Sequence, residues 1–489
     1  MQKITSIKLF KTLGIVTILC ASVLSEMACS KKINSQTIVP PPILPVNNND
    51  VSYYITKGDQ SVLFQKQTDL FAFGAATASS ETIEVDSSQS FQTIDGFGYT
   101  LTGGSAALIT GMNPAERANL LNELFTSDGA GIGVSYLRVS IGASDLNSTV
   151  FSYDDLPVGQ TDLPLSNFSL SQDTLNVIPV LKQILAINPA IKILASPWSP
   201  PVWMKDNKNS IGGSLLPQYY NVYAAYFVKY IQQMKARGIN IDAVTIQNEP
   251  QYGGNNPSMV MSALQQAEFI KTNLGPAFSA AAIKTKIIIW DHNCDNPGFP
   301  LAVLNDAAAK QYIDGSAFHL YNGDISALSS VHNTYPEKNV YFTEQWTGSK
   351  ESFDGNLYWH IKNVIIGSMK NWSKVALEWN LANDPSFGPH TPGGCTECKG
   401  AVTINGSSFV RNVGYYIVAQ AAKFVGPGSV RITSSSTGSL ANVAFITPGG
   451  KKVVIVLNDK ASAQTLNIHF KTRTIVTVMP AGSVATYSW

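Results

Sequence analysis

The sequence predicts an α/β protein: a (β/α)8 TIM barrel with an all-β sandwich side domain. Three observations carry this. From about Thr93 to Asp384, short apolar runs ending in polar or aromatic residues recur eight times. Helical segments separate several of these runs, as in a barrel of parallel strands. After about Ala401 the pattern changes to alternating strands broken by Gly, Ser, Asn and Asp turns, which reads as a sandwich.

The N-terminus reads as an export signal. Lys3, Lys8 and Lys11 precede the apolar stretch 13–24 (LGIVTILCASVL), which is too short to span a bilayer. In the following SEMACSKK, small Ala28 precedes Cys29, which resembles a bacterial lipoprotein cleavage site with Cys29 as the lipidated residue. Glu26 departs from that pattern, standing where such sites usually carry Leu, and ordinary signal cleavage nearby is the other reading. Residues 1–29 are therefore assigned to the signal. Residues 30–50, with four prolines and an Asn run, form a tether. The expected location is the periplasm or cell surface, with a lipid anchor to the outer membrane as the membrane contact.

Residues 51–92 (SYYITKGDQSVLFQKQ, then ETIEVDSSQSFQ) look like strands that join the C-terminal sandwich. Residues 93–404 hold the barrel. Its strand ends are TIDGFGYTLT, VSYLRVSIGASD, IKILASPWSPP, AVTIQNEP, TKIIIWDHN, DGSAFHLYN, NVYFTEQW and KVALEWNLAND. Among the helices, NPAERANLLNELF (113–125) opens on Asn-Pro and lines Leu120, Leu121, Leu124 and Phe125 along one face. Residues 216–238 end in basic residues and a glycine, as a helix C-terminus does. Residues 405–489 supply a helix that completes the barrel, then the sandwich. An open doubly wound sheet is the alternative, but DGFGYT is a poor match to the glycine-rich turn such sheets carry after their first strand.

Composition narrows the function. With 34 basic and 33 acidic residues among 489, and a formal charge of +1, nothing suggests a nucleic-acid or polyanion partner. Aromatic residues make up 10% of the chain, which suits a surface that stacks on flat ligands. GGCTECKG reads as a small loop disulfide between Cys395 and Cys398. Half a zinc site is the other reading, without a second ligand pair at a suitable spacing. Cys294 reads as a buried thiol.

Two apolar strands end in a glutamate: Glu249 on the fourth and Glu344 on the seventh. In an eight-strand barrel these ends face each other across the mouth where barrels place their chemistry. Two carboxylates flanking one bond suit glycoside hydrolysis, one protonating the leaving oxygen and the other attacking the anomeric carbon or activating water. Asn248, beside the acid, can donate to a sugar hydroxyl. Tyr99, Trp198, Trp203, Tyr321, Trp346 and Trp379 lie at or just past strand ends and read as a sugar-stacking rim. A sugar-binding protein without catalysis is the non-enzyme alternative, but it would need neither glutamate. A metallohydrolase could draw on His292 and His319, but the strand-end histidines are too few for a metal cluster.

The motifs IDGFGYTLTGGSA, LRVSIGASD, LASPWSPPVWMK, VTIQNEP, AFHLY, YFTEQW and EWNLANDPSFGPH resemble, in that order, the glucosylceramidase-like glycoside hydrolase family thirty. That family includes lysosomal acid β-glucosidase and microbial endo-β-1,6-glucanases. The resemblance runs from about residue 82 to the final VATYSW. It implies a barrel with a sandwich side domain, retaining chemistry and no cofactor. Carried over by motif, Glu249 matches the acid/base and Glu344 the nucleophile. Arg138 matches an arginine near the nucleophile, and His319 and Tyr321 the pair beside it. Asp145, Trp198, Asn248 and Trp379 match residues that hold the non-reducing sugar. The tip TEQW departs from the lysosomal enzyme's pattern, and the loop DPSFGPHTPGGCTECKGAVTI resembles microbial members. The expected substrate is therefore β-1,6-glucan, its second glucose held in a pocket edged by Trp346 and the Cys395–Cys398 turn. Glucosylceramide, or exo-cleavage of another β-glucoside, is the alternative. The acid role also implies a raised pKa for Glu249 and an ionised Glu344.

Overall fold

The computed structural model describes residues 51–489 except 69, 70, 72, 78–80 and 436–438. The signal segment, Cys29 and the tether lie outside the described residues. Among those described, no helix is long and apolar enough to cross a membrane.

Eight parallel strands close into a barrel. In chain order they are β1 (Gly96–Thr100), β2 (Tyr136–Ile141), β3 (Lys192–Pro197), β4 (Ala243–Thr245), β5 (Lys286–Cys294), β6 (Ile313–Gly323), β7 (Asn339–Glu344) and β8 (Ser373–Asn380). Their near-continuous apolar character follows from burial on both faces. Tyr136, Leu194, Ala243, Ile288, Ala317, Tyr341, Val375 and Leu377 meet inside the barrel. Their strand neighbours, such as Leu137, Ile193, Val244, Ile289, Phe318 and Phe342, pack outward against the helices. Gly98 lets β1 lie close to β2, since a Cβ there would collide with the carbonyl oxygen of Tyr136.

The helices form where the sequence supplies their ends. Helix Pro114–Phe125 has Pro at its first turn, and Asn113 accepts from the Glu116 N–H; Leu120, Leu121, Leu124 and Phe125 are buried. The segment read as one helix over 216–238 divides into a short 3-10 turn, Pro217–Tyr219, and helix Tyr220–Ala236.

The C-terminal strands β9 (Val430–Ser434), β10 (Ala441–Ile446), β11 (Lys452–Asn458), β12 (Gln464–Phe470), β13 (Arg473–Met479) and β14 (Ser483–Ser488) build the sandwich. Four N-terminal strands complete it, two of them the short edge pieces Gln65–Lys66 and Phe73–Gly74. Ser52–Lys57 pairs antiparallel with β14, and Glu81–Thr93 lies between β9 and β12. Helix Val413–Ala422 ties the two parts together. Tyr99 of β1 donates to its Gly414 carbonyl, and Thr486 of β14 donates to its Gln420 carbonyl.

Candidate active site

Strand β4 stops at Thr245, yet the chain beyond it stays anchored. The Asn248 N–H donates to the Pro197 carbonyl (2.8 Å) and the Glu249 N–H to the Asp291 carbonyl (3.0 Å). Glu249 itself sits at φ 47°, a conformation that costs a non-glycine residue about 1–3 kcal/mol. Trp290 and Asp291 share this left-handed character, at φ 72° and 63°. Backbone strain therefore collects around one carboxylate, which is aimed into the barrel mouth instead of out to water. Glu344, the last residue of β7, is likewise buried.

A bulge places the group between them. The register of β6 against β7 shifts between Phe318 and His319, bringing His319 opposite Glu344. His319 Nδ1 lies 3.2 Å from Glu249 Oε1 and 3.7 Å from Glu344 Oε1, and its Nε2 lies 3.2 Å from Asp291 Oδ1. The resemblance set His319 beside the nucleophile alone; in the fold it bridges both glutamates and leans toward Glu249.

Arg138 and Asp291 organise the floor. Arg138 donates through Nη1 to Glu344, and through Nη2 to Asn248 Oδ1 (2.6 Å) and Asp291 Oδ2 (2.8 Å). Asp291 also accepts from Ser196 (2.8 Å), Thr245 (2.8 Å) and Thr343 (2.7 Å). Tyr321 donates to Glu344 Oε1 (2.9 Å). Two cations and three carboxylates are thus packed together, each with an oppositely charged partner.

A carboxylate oxygen of Glu249 lies within 4.8 Å of one of Glu344. Retaining glycosidases place their carboxyls about 5–5.5 Å apart, and inverting ones leave room for water at about 6.5–9.5 Å. The spacing here suits direct attack.

The charges acting on the two glutamates differ from the expected ones. Burial pushes both carboxyls up, but the imidazolium of His319, with His292 and Arg138 behind it, outweighs burial at Glu249 and holds it below its ordinary value. At Glu344, burial and the charges of Glu249 and Asp291 outweigh His319 and Arg138, so its pKa rises. The expectation of a raised Glu249 fails because it placed His319 on the other glutamate. Burial opposes the charge on His319, yet Glu344, Asp291 and Glu249 raise its pKa to about 9. Asp145 is pushed up to about 7, by burial first and then by the two glutamates.

Above this floor lies a cavity of about 390 Å³ lined by Asp145, Trp198, Tyr321, Trp346, Trp379 and the Cys395–Cys398 turn. Trp198 and Trp379 face each other at 5.5 Å between ring centres, tilted by 30°. Asp145 is held by the Cys395 N–H (3.3 Å), and Cys395 and Cys398 form a disulfide. Asn248 turns its oxygen to Arg138, and its Nδ2 makes no hydrogen bond among the described residues.

Two rim aromatics do not belong to the site. Tyr99 is fully buried against helix Val413–Ala422, and Trp203 donates to the Asp154 carbonyl beneath the surface. Strand ends carry core residues as well as ligand-facing ones, and only packing separates them. Asp291 went unread as a site residue, although an acid inside the apolar run KIIIWD was a visible signal. Tyr252, Asn255, His292 and Asn293 also line the cavity. Asn255 Nδ2 lies 3.5 Å from Glu249 Oε2, and nothing local in its loop marks it out.

Glu249, His319 and Glu344 are the one trio of metal-ligand type found among the described residues. They fit a metal poorly. Both ring nitrogens of His319 face carboxylates and its pKa is raised, so it donates twice and offers no lone pair; Arg138 already holds Glu344.

Comparison with known proteins agrees with this geometry. Residues 94–425 match the glycosyl hydrolase family 30 TIM-barrel domain, and residues 428–487 match that family's β-sandwich domain. An endo-1,6-beta-D-glucanase of Neurospora crassa is 37% identical over 388 residues, covering 75% of this chain and 79% of its own. The lysosomal acid glucosylceramidase of Mus musculus is 30% identical over 428 residues, covering 82% of this chain and 81% of its own. Among solved structures, the endo-beta1,6-glucanase BT3312 superimposes with a TM-score of 0.83 at 35% identity, over 90% of this chain and 99% of that one.

Proposed function

The chain belongs to glycosyl hydrolase family 30, and on that premise we propose that it cleaves β-1,6-glucan internally by double displacement at Glu249 and Glu344. The carboxylate spacing, within 4.8 Å, is the observation that carries the mechanism. Glu344 attacks the anomeric carbon while Glu249 protonates the departing oxygen. Glu249 then takes a proton from the water that releases the glycosyl-enzyme.

The roles follow from the donors. Arg138 and Tyr321 hold Glu344 from two sides, fixing its oxygens for attack and stabilising its charge as the ester breaks. Glu249 stands on strained backbone and lines the same cavity, free of the Arg138 and Tyr321 contacts that hold Glu344. Catalysis needs the proton on Glu249: the leaving oxygen of a bound glycoside accepts from protonated Glu249, and the positive charge growing at the anomeric carbon favours ionised Glu344.

The β-1,6-glucan reading rests on relatives at 35–37% identity named as endo-1,6-glucanases, against about 30% for the mouse glucosylceramidase. The deciding experiment compares β-1,6-glucan, gentiobiose and detergent-dispersed glucosylceramide at matched concentrations. Short oligosaccharides from the glucan should far outpace the other products; faster release of glucose from the lipid would overturn the substrate reading. We also propose export and lipid attachment at Cys29, supported by the segment preceding it. Loss of labelled fatty acid in Cys29→Ser tests this, and equal labelling of both proteins would reject it.

A further inference from the structure

Trp346 has a second neighbourhood. Besides the catalytic cavity it borders a separate groove of about 330 Å³, lined also by Gln345, Glu351, Asn356, Trp359 and His360. This groove lies between the end of β7 and helix Phe353–His360.

Its lining is unusual for a packing crevice. Trp359 is 40% exposed, a large aromatic left at the surface on a helix whose buried residues are Asn356, Leu357 and His360. Gln345 is only 6% exposed, yet its side-chain amide makes no hydrogen bond among the described residues, and its Oε1 is buried without a partner. A buried amide left unsatisfied costs about 1–3 kcal/mol, so its retention beside a groove calls for a partner. Among the described residues Glu351 has no ion pair, and His360 commits Nδ1 to Glu378 (2.8 Å) while its other nitrogen has no partner. The groove therefore offers two indole surfaces and unpartnered acceptors, and no lysine or arginine lines it.

We propose that this groove is a further subsite that takes one more glucose unit of a β-linked glucan, stacked on Trp359, its hydroxyls on Gln345 and Glu351. Neutral sugar hydroxyls both donate and accept, as the free amide of Gln345 requires. An anionic ligand would be repelled by Glu351, and a purely apolar one would leave Gln345 unsatisfied. Trp346 then stands between two successive binding positions, with the catalytic cavity on one side and the groove on the other. The flexible 1,6-linkage lets the chain turn across it. This inference rests on the glucan reading above and adds a site to it.

The test uses Glu344→Gln protein, which binds without turnover, and titrates it with β-1,6-gluco-oligosaccharides of increasing length, with β-1,3- and β-1,4-linked series alongside. Affinity should step up at the length that reaches the groove. Trp359→Ala in the same background should remove that step, about tenfold in Kd, and leave shorter ligands as they were. Trp359→Phe should restore most of it. Equal weakening at every length, or no change at the step, overturns the subsite while leaving the function standing. If only another linkage binds, the β-1,6 reading fails, and the response of that series to Trp359→Ala still decides the subsite.

Discussion

Arg138 and Asp291 form a completely buried ion pair, Nη2 to Oδ2 at 2.8 Å, with neither side chain exposed. Asp291 is the common counter-charge for Arg138 and His319, the two cations that govern the glutamates. Asp291→Ala removes the counter-charge they share, leaving them only the two glutamates, and should destabilise the protein by about 3–5 kcal/mol, read as a lowered melting temperature. Asp291→Asn keeps the shape and removes the charge. It should retain more stability but lose most of kcat/KM, because Arg138 is no longer held against Glu344. Wild-type activity in Asp291→Asn would show that geometry alone suffices.

The glutamates should separate by leaving group. Glu344→Gln is expected to lose nearly all activity on every substrate, since no covalent intermediate can form. Glu249→Gln should fall by about 10²–10⁴ on glucan, yet stay active on aryl glucosides whose leaving groups need no proton. Similar responses of both variants across a leaving-group series would remove the basis for assigning acid and nucleophile.

His319 sets the acidic side of the rate profile. Its positive charge lowers Glu249 and partly offsets the rise at Glu344. Removing a cation raises both carboxyls, so His319→Gln should shift the acidic limb of kcat/KM to higher pH. An unmoved limb would mean that His319 is neutral in the working enzyme.

Stability should depend on pH in both directions. His319 is raised from an unfolded value of about 6.5 to about 9, so its contribution is complete below the first and lost as pH rises through the second. Asp145, raised to about 7, acts in the same sense over a lower window, from about 4 upward. Asp291 and Glu249 are held below their ordinary values and lose their contribution as pH falls. Melting temperatures across pH should peak between these windows, and His319→Gln should flatten the alkaline decline.

The Cys395–Cys398 turn should matter to binding more than to chemistry. Its Cys395 N–H reaches Asp145 Oδ2, and the Thr391 N–H holds the Asp145 carbonyl at 2.8 Å. Cys395→Ser with Cys398→Ser should loosen this support and raise KM by about tenfold with a smaller change in kcat. Loss confined to kcat would place the turn in the catalytic step instead.

Several features of the site were readable in one dimension because their causes are local. A strand buried on both faces is an apolar run, and its end is where polar residues begin, so Glu249 and Glu344 stood out by position, while Arg138 came only from the motif resemblance. Their opposition across the barrel mouth followed from strand order alone. The sandwich was legible for the same reason, since alternation and turn residues are nearest-neighbour properties.

Side-chain partnership is set by contacts distant in the chain, and there the tertiary structure decided. Tyr99 and Trp203 share a strand-end position with Trp198, but helix Val413–Ala422 covers one and the Asp154 loop the other. The bulge at His319 set its ring between the two glutamates and nearer Glu249, a placement that no spacing in the sequence encodes. Asp291 looked like one acid in a strand until closure of the barrel brought Arg138, from 153 residues away, against it. Charge interactions inside a buried site depend on ångström-scale distances, so the sequence by itself picked out the two strand-end carboxylates while only the closed barrel brought their charged neighbours against them.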